Sequence, residues 1–460
     1  MSNRYDIIVI GAGAGGLVVA IGAAAAKKRV LLIEKGLFGG DCTNYGCIPS
    51  KSLIASAHIA HFLKVSNDYG IKTSPFSFDA SGALTRVRKV VEEIRSHEDP
   101  AALSKLGVET LQGIASFMDP HTLAVEGKTV CGKQIVIATG SYPVIPPIEG
   151  LQDTPFLNNE TVFDLQEIPK RMIFIGGGPI SSELSQAFSR LGSNVTLIES
   201  RQSLLEREEP EAQKVILDTF QKEGVSLLLG CRTERVSYNN TFRVEVRGAT
   251  TQTVEGDALF VGVGRQPHLK QLNLEKGKVN HSEKGIPVND YGQTNQNHIW
   301  AIGDVTSPPY FTHYAENQGR AVLINLLLPF KLKKSSQPIP RCTYTDPEVA
   351  SIGLKEEECN PKKIAVYTVP FSEVDRSITS GRTEGFVKVI TKKWSSKILG
   401  ATVVGPRAGE MLMELSTAMF AKLPLRKLSN LMHPYPIENL AIRKAADKWL
   451  KETIIGAFRK

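Results

Sequence analysis

"YDIIVIGAGAGGLVVAIGAAAAKKRVLLIEK", residues 5–35, sets an apolar run against a cluster of glycines, then an alanine-rich stretch and a second apolar run. From Ile7 to Ala26 it carries no charge, which is about the twenty residues of a membrane span. Its five glycines, with no basic n-region and no cleavage site, argue against an anchor or an export signal. As a soluble segment it reads as a strand ending at Ile10, a tight turn, a helix, and a second strand ending at Glu34. Gly11, Gly13 and Gly16 fall in the places of the G-x-G-x-x-G dinucleotide fingerprint. The first glycine permits the turn, the second lets backbone approach a pyrophosphate, and the third lets the helix lie against the strand. The helix start then offers free N–H groups to phosphate, and Glu34 is placed to accept ribose hydroxyls.

The pattern returns at residues 170–200, "KRMIFIGGGPISSELSQAFSRLGSNVTLIES", with Gly176 and Gly178 in the first two places and Ser181 in the third. Glu199 closes the second strand as Glu34 does. A carboxylate there suits a free ribose 2′-OH and repels a 2′-phosphate, so NADH is expected, with NADPH possible because Arg201 and Arg207 are close in sequence. Two dinucleotide sites in one chain imply an electron relay: a resident flavin at the first, a hydride donor at the second. The fold class expected is α/β, with two Rossmann-like domains.

At 460 residues the chain has room for about three domains, and 42% hydrophobic with 22% charged residues is ordinary for a globular protein. The net charge of +8 is scattered, its densest cluster being "KLKK" at 331–334, so no nucleic-acid partner and no membrane partner is expected. Without an export signal the expected location is the cytoplasm, where disulfides are more often catalytic or sensing than structural.

That matters for "GGDCTNYGCIPSK", residues 39–51, which holds Cys42 and Cys47. Residues five apart in a regular helix have Cα atoms about 8.6 Å from each other, beyond the roughly 7 Å a disulfide spans. If the two pair, the backbone between them must leave the helix, and Gly46 and Pro49 make that feasible. Such a departure makes a bridge easier to reduce. Zinc would need four ligands, and no second Cys or His pair of suitable spacing exists, so no metal site is expected. Cys131, Cys231, Cys342 and Cys359 stand alone and are expected to pack in cores.

Together with "IVIATGSYP" (135–143), "FVGVGRQP" (260–267), "TNQNHIWAIGDV" (294–305) and "YTDPEVASIG" (344–353), these motifs resemble the class I flavin-dependent pyridine nucleotide-disulfide oxidoreductases. That group includes dihydrolipoamide dehydrogenase, glutathione reductase and mercuric reductase, and the motif detail is most similar to mercuric-reductase-like members. The resemblance implies an FAD-binding domain at 1–150, an NAD(P)-binding domain at 151–268, a central segment at 269–338 completing the FAD domain, and an α+β dimerisation domain at 339–460. The last follows a charged connector, "FKLKKSSQPIP". It also implies that Asp304 holds the ribityl chain of FAD. Gly40, Thr139, Gly140 and Thr312 would line the same cofactor, Ala115 would meet the adenine, and Gly264 would touch the nicotinamide nucleotide. By the same resemblance Cys47 lies against the flavin, Cys42 exchanges with substrate, and Lys51 pairs with Glu183 and points toward the flavin.

Relatives that act on disulfides carry a His-Pro with a Glu five residues after the His, supplied across a homodimer interface. In "MHPYPIENLA" (432–441), spacing alone selects His433 and Glu438, whereas counting forward from "GEML" at 409 puts Tyr435 in the His place and Leu440 in the Glu place. A Tyr there, Asp41 before the first cysteine and "FTHYAE" at 311–316 resemble the mercuric reductase branch. The C-terminal "GAFRK" lacks that branch's metal-handling cysteine pair, and Pro179 sits where disulfide reductases often carry a bulky gating residue. The expected activity is passage of electrons from NAD(P)H through FAD and a Cys42–Cys47 disulfide to a small disulfide or dithiol substrate. Metal-ion reduction and a low-turnover flavin-bound redox sensor stand as alternatives.

Overall fold

The computed structural model describes residues 4–74, 80–331, 333 and 337–455; residues 332 and 334–336 of the connector and the "GAFRK" tail lie outside them. The first βαβ unit is β1 (Arg4–Ile10), α1 (Ala14–Ala25) and β2 (Val30–Glu34). Helices α2 (Gly40–Asn44), α3 (Cys47–Lys64), α4 (Ser81–Arg95) and α5 (Pro100–Lys105) follow. Strands β3 (Glu109–Gln112), β4 (Ala115–Asp119), β5 (Thr122–Val125), β6 (Lys128–Ile137) and β7 (Ser141–Pro143) come next. The second βαβ unit is β8 (Arg171–Ile175), α6 (Pro179–Arg190) and β9 (Asn194–Glu199), continued by α7 (Pro210–Lys222) and β10 (Ser226–Leu229). A meander β11 (Arg232–Tyr238), β12 (Phe242–Arg247) and β13 (Thr251–Gly256) leads into β14 (Ala258–Val261). Then come β15 (Arg265–Pro267), β16 (Ile299–Ala301) and α8 (Thr312–Leu327). The C-terminal part holds β17 (Arg341–Thr343), β18 (Glu348–Gly353), β19 (Ile364–Pro370), α9 (Asp375–Thr379), β20 (Phe386–Lys392), β21 (Ile398–Gly405), α10 (Ala408–Phe420) and α11 (Leu440–Leu450).

These elements gather into two units. The first comprises the chain through Pro147, Leu157–Ile168 and the stretch beginning at Gly262. Its main sheet runs β3-β2-β1-β6-β5-β4, with β16 pairing β6. Side chains alternate across a strand, and here both faces are covered. Ile8, Ile10, Leu31 and Ile33 enter one core with Phe117 and Leu123. Ile7, Val9, Val30 and Leu32 enter another with Val19, Ala20 and Ala23 of α1. A strand buried on both faces has no position for a polar residue, which is why residues 7–10 and 30–33 are uninterrupted apolar runs. Helix α1 meets α8 through glycines: a Cβ on Gly319 would stand 2.8 Å from the Gly15 carbonyl oxygen.

The second unit comprises Ile148–Phe156, Pro169–Val261 and the stretch beginning at Gln337. It holds a parallel sheet β10-β9-β8-β14, the antiparallel β11-β12-β13, and an antiparallel sheet β17-β18-β21-β20-β19. Leu412, Leu415, Ala441, Ala445 and Trp449 of α10 and α11 share one core with Val387, Val389 and Val403 of the last sheet. Buried charges join the two parts of this unit. Lys388 of β20, only 2% exposed, reaches Glu209 at 3.1 Å, Glu211 at 2.8 Å and Glu356 at 2.7 Å. Arg190 of α6 pairs with Glu223 at 2.6 Å and with Asp346 at 2.9 Å. The fold is thus mixed α/β: two Rossmann-like βαβ units and an α+β C-terminal part. Among the described residues no helix is long and apolar enough to cross a membrane.

Candidate active site

The turn after β1 is shaped by close approach. Gly11 has φ +106°, and a Cβ on it would lie 2.3 Å from the Ala138 oxygen; no L side chain fits. A Cβ on Gly16 would lie 1.9 Å from the Gly11 oxygen, so α1 rests directly on the turn. Gly13 is the N-cap of α1, and no side chain caps the helix, which leaves its first N–H groups to a ligand. Gly40 (φ +65°) brings the start of α2 against the same turn, a Cβ there falling 2.5 Å from Gly13 Cα. At the end of β2 the Glu34 carboxylate accepts the N–H of Ala12 and that of Gly36, each at 2.8 Å. A carboxylate has about four acceptor positions, so the fixed Glu34 keeps capacity for ribose hydroxyls.

Asp304 stands between β16 and α8 and accepts a hydrogen bond from Ser141 Oγ at 2.6 Å. Burial pushes its carboxyl upward, opposed by the Ser141 hydroxyl and by Arg265. Thr139 donates to the His268 carbonyl at 2.9 Å, Gly140 has φ +68°, Ala115 begins β4 and is buried, and Thr312 begins α8. Arg265 lay inside a quoted motif and yet was not among the expected site residues. Its guanidinium donates to Ser141 Oγ at 2.8 Å and to the Ser141 carbonyl at 3.0 Å, and stands 3.2 Å from Asp41. Asn159 completes the ring, donating to Asp41 at 3.1 Å. Uncapped helix N–H groups, glycines where side chains would block, and two placed carboxylates form a donor and acceptor set that fits FAD.

The two cysteines lie where the chain leaves regular helix. α2 ends at Asn44, Tyr45 and Gly46 take non-helical angles, and α3 begins with Cys47 itself. The side chains of Cys42 and Cys47 are hydrogen-bonded to each other; that contact, then burial, pushes the Cys42 thiol well above its ordinary range. Cys47 Sγ is 3.7 Å from Thr312 Oγ1. It therefore sits at the N-terminus of one helix and beside the N-terminus of another, where partial positive charge favours a thiolate. The remaining four cysteines are half-buried: Cys231 and Cys342 pack against hydrophobic cores of the second unit, as expected, whereas Cys131 on β6 and Cys359 after β18 are not among the core residues.

In the second unit, Gly176 has φ +104° and Gly178 caps α6 without a side-chain bond. Ser181 is fully buried, and its hydroxyl has no hydrogen-bond partner. Glu199 accepts the Gly177 N–H at 2.5 Å, the Ser200 hydroxyl at 2.9 Å and the Arg201 N–H at 2.7 Å. Glu183 of α6 is buried and accepts the Tyr344 N–H at 2.9 Å. Lys51 lies on α3 in the first unit; Gly264 (φ +142°), just before β15, is in the same unit, with open space where a Cβ would stand.

The C-terminal segment separates the residues that spacing had joined. His433 faces the Leu431 carbonyl with Nδ1 at 3.0 Å and Glu414 of α10 with Nε2 at 3.1 Å. Glu414 also accepts from Asn439 at 2.7 Å. Glu438 turns instead toward Arg376 of α9, 3.6 Å away. Pro434 and Pro436 prevent a helix across this stretch, so a five-residue spacing does not set a shared face. Tyr435, 73% exposed, donates its hydroxyl to Asp375 of α9 at 2.7 Å, and that carboxylate pushes the phenol upward. Glu414 and Asp375 carry no local motif that would have marked them.

Residues 5–319 match the model of the pyridine nucleotide-disulphide oxidoreductases, and residues 339–446 match that family's dimerisation domain. The chain is 33% identical to a mercuric reductase of Lysinibacillus sphaericus over 94% of its own length and 80% of the relative's. It is 34% identical to a dihydrolipoyl dehydrogenase of Thermus scotoductus over 98% of its length and 99% of the relative's. Its structure is similar to that of the HOCl-induced flavoprotein disulfide reductase RclA from Escherichia coli, with a TM-score of 0.87, 28% identity, and 96% and 99% of the two chains covered. With this fold, this cysteine pair and these matches, the chain belongs to the pyridine nucleotide-disulphide oxidoreductase family: an FAD-dependent, homodimeric enzyme whose electron donor is NAD(P)H.

Proposed function

We propose that the enzyme passes electrons from NADH, by way of FAD and a reversible Cys42–Cys47 disulfide, to a small disulfide substrate. The observation that carries this reading is the mutual hydrogen bond of the two thiols at a break between helices, on a segment whose Gly40 abuts the dinucleotide turn. FAD, when bound, supplies the two-electron link between a nicotinamide and a disulfide. The chain's residues do the rest. The start of α1 receives the pyrophosphate, Glu34 a ribose and Asp304 the ribityl chain, with Ala115, Thr139, Gly140 and Thr312 around them. Glu199 receives the ribose of NADH, and its carboxylate disfavours a 2′-phosphate. Lys51 acts as the positive charge beside the flavin, Glu183 is a further candidate catalytic group, and Gly264 meets the nicotinamide nucleotide.

In the exchange half, Cys42 gives up its proton as it attacks one sulfur of the substrate and displaces the other as a thiolate, which takes up that proton. Cys47 then attacks the Cys42 sulfur of the mixed disulfide, releases the second thiol and closes the bridge. We assign residues 1–150 and 269–338 to FAD, 151–268 to NAD(H) and 339–460 to dimerisation. We place the enzyme in the cytoplasm, whose reducing poise suits a bridge that must reopen.

A second reading, reduction of a thiophilic metal ion, is favoured by one observation. Both nitrogens of His433 face acceptors and its side chain is 4% exposed, while the Tyr435 proton is committed to Asp375. A ring whose two nitrogens are both engaged by neighbouring oxygens presents neither to a substrate, and a metal substrate would need no proton relay. The test is anaerobic: wild type, Cys42→Ser and Cys47→Ser are titrated with NADH while free thiols are counted, then offered lipoamide, glutathione disulfide or Hg²⁺. Two new thiols per chain in the wild type alone, followed by turnover of a disulfide, is the expected result. Turnover of Hg²⁺ alone selects the second reading, and no NADH-dependent thiols in the wild type overturns both.

A further inference from the structure

The segment after β9, residues 200–209, is held in place at both ends. The Arg201 N–H donates to Glu199, and the Arg201 carbonyl accepts the Gly230 N–H at 2.7 Å. Leu204 and Leu205 are buried, and the Leu205 N–H donates to the Gly177 carbonyl at 3.0 Å, which folds the segment back onto the glycine turn. Glu208 is buried as well, bonded to Arg341 at 2.7 Å and to Ser351 at 2.6 Å. Between these anchors the Arg201 guanidinium meets Glu206 at 2.5 Å. The backbone on either side is fixed, so the two side chains are presented to each other.

From this arrangement we propose that Glu206 is a specificity-determining residue, occupying Arg201 and thereby denying it to the 2′-phosphate of NADPH. The inference rests on the NADH reading and extends it. Glu199 alone disfavours a 2′-phosphate by charge. Arg201, pinned by its own N–H to that carboxylate, is the cation best placed to reverse the preference. With Glu206 as its partner, Arg201 is neutralised and a second negative charge faces the incoming phosphate. An exposed ion pair is weak and would yield to a phosphate on its own; the barrier comes from Glu206 adding its carboxylate to that of Glu199 on either side of Arg201, against which the exposed Arg207 is the one further cation of the segment. Removing the Glu206 charge leaves Glu199 as the one carboxylate beside Arg201 and frees its guanidinium, which binds phosphate through charge-assisted, often bidentate bonds.

The experiment uses the FAD-loaded dimer. The ratio of kcat/KM for NADPH to that for NADH is measured in the wild type, Glu206→Gln, Arg201→Gln and the double variant. Inhibition by adenosine 2′,5′-bisphosphate is measured alongside inhibition by ADP. Glu206→Gln is expected to raise the ratio about tenfold and to tighten the 2′,5′-bisphosphate selectively. Adding Arg201→Gln is expected to cancel both gains. A ratio unmoved by Glu206→Gln, or a gain that survives loss of Arg201, overturns the assignment. A wild type that already prefers NADPH overturns the NADH reading on which it rests; a wild type preferring NADH with an unmoved ratio overturns the Glu206 role alone.

Discussion

The two glycine turns share a sequence pattern and differ in how much of the chain closes around them. The first draws on residues 11–16, 34 and 40, and on Ser141, Arg265, Asp304 and Thr312 far along the sequence. At the second, the glycines, the strand-end carboxylate and the charged pair all fall within residues 176–206. Arg265, 13% exposed, ties Asp41, Ser141 and through it Asp304 into one network at the first site. At the second, the charged pair Arg201 and Glu206 lies 64% and 53% exposed. A site closed by many distant segments suits a cofactor that stays, and a local, open one suits a cosubstrate that leaves. That contrast can be tested from either side.

The largest effect is expected at the third fingerprint place. Gly16→Ser would push Cβ into the Gly11 oxygen, whereas Ser181 already stands in the corresponding place of the second turn, fully buried. The substitution should cost about 3 kcal/mol and release the flavin, read by urea unfolding and by the yellow absorbance left after gel filtration. Retained colour and unchanged stability would erase the distinction between the two turns. Arg265→Gln is expected next, costing about 2 kcal/mol, less than a fully buried pair because Asp41 is partly exposed. FAD retention on dialysis should fall while NADH binding to flavin-loaded enzyme is preserved.

A smaller effect depends on pH. Burial, then Lys35 and Arg265, holds His268 of the first unit down to about 4 from the ordinary 6.5. The unfolded chain takes up that proton first as pH falls, so stability is fully present above pH 6.5 and is lost as pH drops toward 4. Because the ring is only partly buried, the loss should be about 1 kcal/mol. His268→Gln should flatten the slope of stability against pH in that window; an unchanged slope would show that other groups carry it. The smallest effect belongs to Ser181→Ala, which removes a buried hydroxyl without a partner and should stabilise the protein by up to about 1 kcal/mol.

Both βαβ units were legible in the sequence because strand, turn and helix are local and their apolar periods are short-range. The strands end at Ile10, Glu34, Ile175 and Glu199, where the fingerprint places them. The cysteine pair was legible for the same reason. Arg265, Glu414 and Asp375 were not: each acts through a partner 19 to 124 residues away, a pairing that only the folded chain creates. His433 and Glu438 show the reverse error. Their spacing was right, but two prolines between them leave no helix to bring them onto one face.

Lys388 and Arg190 have a consequence for how motion is shared within the second unit. With both cations locked among carboxylates from either part, the stretch that would hold the nicotinamide dinucleotide and the antiparallel sheet from β17 to β21 should open together. A nucleotide gripping the loop after β9 would then slow amide exchange in β20 as well, although nothing in that strand touches it. The dimer-forming sheet would register whether the electron donor is present.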